Sequence, residues 1–133
     1  MAESPTSLCA ATRWGSVCSS HLSGLPASTN HLGDRFVLRV LADTTGRFAI
    51  DVEHAEQVIT PSIARVLGNE TMCHTEILFR WTELEVAAKL KGLPILNAIG
   101  ILRIGGWAPL RGGIETSRYS LGSNLLSVGR IIN

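Results

Sequence analysis

Charge is scarce in this sequence. Only 17% of its 133 residues are Asp, Glu, Lys or Arg, and the signs nearly cancel, leaving a formal net charge of +1. Such a chain makes no whole-protein field that would steer nucleic acid or acidic ligands toward it. Long hydrophobic runs are missing too. The longest apolar stretch, Leu93 to Ile104, is interrupted by Asn97 and Arg103 and is too short to span a bilayer. No hydrophobic signal sequence opens the chain. Cysteine is limited to Cys9, Cys18 and Cys73. An odd number with two near the N-terminus predicts free thiols in a reducing, cytoplasmic setting, not a disulfide framework. There is no internal repeat.

What is present suffices for one domain. Apolar residues make up 45% of the chain. A body of about 100 residues buries enough surface for a core without metal or disulfide staples. A mean hydropathy of +0.23 leaves room for apolar surface patches, which points to a partner or to self-association.

Two segments separate by composition. Residues 1–34 are rich in serine, hold no acid between Glu3 and Asp34, and show no sustained period. They are expected to form a flexible tail, or alternatively an organelle-targeting segment. Residues 35–133 are expected to form a single α+β domain, a mainly antiparallel sheet with helices packed on one face.

Within that domain, Arg35–Leu41 and Arg47–Glu53 both alternate apolar and polar residues. The turn Asp43-Thr44-Thr45-Gly46 between them predicts a β-hairpin. Residues 54–68 read as helical in two pieces, the second starting at Pro61 behind Thr60 and stopped by Gly68. Alternation over 74–81 predicts a third strand. Thr82-Glu83-Leu84-Glu85 reads as a capping box opening a helix that Gly92 closes after Lys91. Pro94–Ile104 fits a buried strand or a buried helix equally well. Residues 105–113 predict a loop, Ile114–Leu121 a strand, and Leu125–Ile132 a last short element.

Cys9, Cys18, His21 and His31 are close in sequence, but only Cys18 and His21 have the tight spacing zinc favours. On a strand, Cys73 and His74 point to opposite faces and form no dyad; Cys73 is expected to fill a core position. His74, Glu76 and Arg80 would share the wet face of that strand. Asp51 and Glu53 would project together into solvent near His54 and Glu56, an arrangement able to serve a metal-dependent hydrolase or nuclease. The glycine-rich stretch 105–113 lacks the order of a phosphate-binding loop. It carries Trp107 and Arg111, residue types enriched at binding hot spots. Arg103, Arg111, Arg118 and Arg130 face only Glu115 in the last 41 residues, a mild basic bias.

Two short stretches resemble known families. Thr82–Gly100, with Ala88 and Gly92 four apart, is similar to a helix-turn-helix, although Pro94–Ile99 offers little that could read base edges. Leu38–Gly46 resembles the LAGLIDADG signature of homing endonucleases through Leu38, Leu41, Asp43 and Gly46. Thr45 stands where that family carries its metal-binding acid, so the resemblance implies nucleic-acid binding more than cleavage.

The sequence therefore points to a non-enzymatic interaction module, a small regulatory or inhibitory protein or a subunit of a larger assembly. The expected contact residues are Trp107, Arg111, Arg103 and Arg118. Another protein or a second copy is the expected partner, with no membrane and no cofactor implied. Nucleic-acid binding through the C-terminal arginines is the alternative.

Overall fold

The computed structural model describes residues 8–69 and 71–132. Among them are seven strands and four helices. In chain order these are β1 (Cys9–Ala11), β2 (Gly15–Ser19), β3 (Ala27–Thr29), β4 (Arg35–Val40), β5 (Arg47–His54), α1 (Pro61–Leu67), α2 (His74–Lys91), α3 (Ile95–Gly105), α4 (Ala108–Arg111), β6 (Ile114–Leu121) and β7 (Asn124–Ile131). The class is α+β, as expected. Instead of one sheet there are two, both antiparallel: β1-β2-β4-β3 and β5-β7-β6.

Side-chain alternation stacks these into layers. One face of the second sheet, with Ile50, Val52, Leu121, Leu126 and Val128, packs on Trp14, Val17, Phe36 and Leu38 of the first. Its other face presents Ala49 to Val86 and Leu90 of α2. The sheet is thus buried on both sides. At the closest approach a Cβ on Gly129 would collide with Val86 Cγ1, so only glycine lets α2 lie this close to β7. Behind α2 the helices form their own cluster around Leu84, Ala88, Ala98, Ile99, Leu102 and Leu110.

Several expectations give way. The 35–53 hairpin does not form: β4 pairs with β2 and β3, while β5 pairs with β7, and residues 41–46 carry the chain between sheets. Phe36, Val37 and Leu38 are all buried, so β4 needs neighbours on both faces, and alternation alone cannot name its partner. Residues 74–81 are the first turns of α2, not a strand. Because α2 is clamped between a sheet and other helices, its buried residues surround most of its girth and blur the 3.6 period. Thr82 lies mid-helix. Its hydroxyl donates to the Phe79 carbonyl oxygen (2.7 Å), leaving its oxygen to meet the Ser127 hydroxyl (2.7 Å). The LAGLIDADG resemblance needs a helix where β4 runs.

Residues 8–34 are not a loose tail. They supply β1, β2 and β3, anchored by buried Trp14 and Val17. Their polar side chains replace missing backbone partners. Ser28 Oγ accepts from the Val52 N–H (3.1 Å), and Asn30 Nδ2 donates to Asn124 Oδ1 (2.8 Å). Cys9 and Cys18 stand directly opposite in the β1–β2 pair and form a disulfide, which corrects the free-thiol expectation and removes both from any zinc set. Cys73 is exposed at the N-cap of α2 and not in a core position. The first residues of 1–34, before Leu8, lie outside the described residues.

Elsewhere local signals hold. Pro61 opens α1 behind Thr60, although its expected companion piece is a turn after β5. Gly92 ends α2 with φ +67°. Residues 95–105 resolve as the helix α3, and the 105–113 loop contains the short α4. The two final strands form a hairpin. No helix among the described residues is long and apolar enough to cross a membrane.

Candidate interaction surface on the helical layer

α3 is apolar around nearly its whole circumference, yet only one side of it is covered. Ala98, Ile99 and Leu102 pack into the helical cluster. Leu96 and Ile104 remain 77% and 91% exposed. With Gly100 between them they sit at four-residue intervals and form one stripe. Beside the stripe lies an open groove of about 440 Å³ lined by Leu93, Asn97, Gly100, Ile101, Ile104 and Gly105. Pro94 starts the helix and Gly106 lets the chain leave it, so the stripe is held on a rigid element.

The chain leaving α3 brings Trp107 and Arg111 together. Trp107 is the N-cap of α4 and half-buried against the helical cluster, and the Arg111 guanidinium lies over its ring at 4.6 Å. This is a preformed cation–π pair. Arg103 projects from α3 into a different cleft, between α1 and α3, with Ser62, Arg65, Val66 and Leu102.

Arg118 is not part of this surface. It is forked between Glu76 and Glu83 of α2, with nitrogen–oxygen distances of 2.7 and 2.8 Å, and lies over Phe79 at 5.1 Å. Its task is to tie β6 to α2. The hydrogen bonds from Arg118, and then Arg80, hold the Glu76 carboxyl down at about 2. Arg130 pairs with Glu115 at 2.6 Å on the opposite face of the sheet. The C-terminal arginines thus disperse over several faces instead of forming one basic stripe.

The acidic cluster is also rearranged. Asp51 and Glu53 do share a face, but it is the face under α2 and not solvent. Asp51 is buried; Ser28 donates to its Oδ1 (3.3 Å), Lys89 Nζ lies 3.6 Å away, and Oδ2 has no partner. Burial holds its carboxyl well above the usual range, with Glu85 and Glu53 adding to the rise and Lys89 opposing it. Burial likewise raises Glu53, against the Trp81 indole that donates to it, and raises Glu85. His54 faces the other way, edge-on to His31 with ring centres 5.8 Å apart. The four residues therefore do not converge, and among the described residues no three His, Cys, Asp or Glu side chains are placed to hold a metal ion together.

The sequence pointed to Trp107 and Arg111 by residue type but missed the α3 stripe and Arg65. A helix with no polar face was the available signal for the stripe, because such a helix must be covered on all sides or leave apolar surface bare. In comparisons with known proteins no family model, no curated protein and no solved structure matches this chain.

Proposed function

We propose that this chain is an interaction module, a regulatory protein or assembly subunit, that docks a second polypeptide on α3 and the adjoining Trp107–Arg111 pair. The observation that carries this is the exposure of Leu96 and Ile104 on one side of a rigid helix, beside an apolar groove. Apolar side chains so placed gain about 1.5–3 kcal/mol each when a partner removes them from water. Trp107 and Arg111 add residue types that are enriched among those carrying most of the binding energy at other interfaces.

The test compares affinity capture from the native cell by the wild-type chain and by Leu96→Glu, Ile104→Glu and Trp107→Ala. The reading expects a discrete partner set that the first two variants lose and the third weakens, with unchanged circular dichroism. If all three variants retain the same partners, this surface is not where they bind. Sedimentation equilibrium on the same proteins separates a second copy of the chain from a different polypeptide.

A further inference from the structure

Most cations of this chain have a partner among the described residues. Of its twelve lysines and arginines, Arg13, Arg80, Lys89, Arg118 and Arg130 pair with carboxylates. Arg35, Arg47 and Lys91 donate to main-chain carbonyls, and Arg111 lies on Trp107. Only Arg39, Arg65 and Arg103 make no such contact among the described residues. Two of these three come from different helices and line the same cleft, an open space of about 400 Å³ between α1 and α3.

Two exposed guanidinium groups line one cleft with no carboxylate among its described lining residues, and their mutual repulsion in water is modest. Part of it is offset locally: each arginine sits in the last turn of its helix, where backbone carbonyls favour positive charge. Water and salt screen the remainder, since both side chains are exposed, and both guanidinium groups stay open to an anion. Val66 and Leu102 give the cleft apolar walls, which strengthen any ion pair formed there, and Ser62 adds a hydroxyl donor.

We propose that the α1–α3 cleft binds the phosphate group of a phosphate monoester. Two guanidiniums and a hydroxyl approaching from two helices match a dianion with three terminal oxygens better than a monoanionic carboxylate with two. Arg65 and Arg103 are the binding residues, and Ser62 is the neutral donor. The site is separate from the apolar stripe, so it goes beyond the interaction reading and can fail independently of it.

The test titrates phenyl phosphate into the full chain while the arginine side-chain N–H signals are followed by NMR. Arg65→Gln, Arg103→Gln and Arg39→Gln are compared, with acetate as the carboxylate control. Saturable binding is expected, weakened roughly tenfold by either of the first two substitutions and unchanged by the third. Absence of saturation would overturn the site, as would equal weakening by Arg39→Gln or acetate binding as tightly as phosphate. Inorganic phosphate and a phosphoserine peptide share this chemistry. Tighter binding of the peptide supports a monoester carried on a phosphorylated chain, and equal or tighter binding of inorganic phosphate overturns the monoester assignment.

Discussion

Asp51 and Glu76 show how opposite environments divide the pH response between single residues. Asp51, Glu53 and Glu85 titrate near 3.8 or 4.5 when unfolded, and burial raises all three in the fold. The fold thus binds more protons than the unfolded chain in the interval between those values. The stability contributed this way is fully present below the unfolded values and is lost as pH rises through the folded ones. Glu76 behaves oppositely: its contribution is present above 4.5 and disappears as pH falls toward about 2. Urea midpoints should therefore increase as pH falls through the raised folded values toward 4.5, and decrease as it falls from 4.5 toward about 2. Asp51→Asn should flatten the first limb, and Glu76→Gln the second; an unaltered profile in either variant would remove that residue from the account. At Gly129 a methyl group has nowhere to go, and Gly129→Ala should cost about 1–3 kcal/mol in denaturant unfolding.

At the scale of elements, what was legible in the sequence was what each element decides for itself. Pro61 and Gly92 mark helix ends because their backbone constraints act locally, whatever packs nearby. Gly92→Ala should accordingly lose about 1 kcal/mol, measured by chemical denaturation. What was hidden depended on distant neighbours. In the sequence Arg118 reads as available, because alternation places Glu76 on a strand and Glu83 at the start of a helix, where they share no face. On one continuous helix they lie seven residues apart and converge on it. Arg118→Ala should then lower the melting temperature while leaving partner capture intact, the reverse of Ile104→Glu. Loss of capture without loss of stability would return Arg118 to the contact surface. The α3 stripe was hidden for a different reason, since apolar periodicity cannot say which side of a helix its neighbours cover.

At the scale of the whole molecule, the second sheet sits between the first sheet and α2, so no layer can be removed without baring another. β7 is its middle strand, paired with β5 on one side and β6 on the other. Deleting residues 124–132 should abolish the near-ultraviolet dichroism and the cooperative transition altogether, since the cut uncovers Ile50, Val52 and Val86 at once. A shortened chain that still melted cooperatively would show that the first sheet and helices hold together without it.

The position of β7 has a consequence during synthesis. β5 leaves the ribosome well before the strand that will pair with it, and all the helices and β6 emerge in between. Until β7 arrives, the edge of β5 that it will pair with stays open, and Val86 and Leu90 of α2 lack part of the sheet they pack on, so the unpaired strand edge is exposed to neighbouring nascent chains. Slow translation through residues 55–123 should prolong this exposed interval and raise the demand for chaperones, whatever the stability of the finished fold.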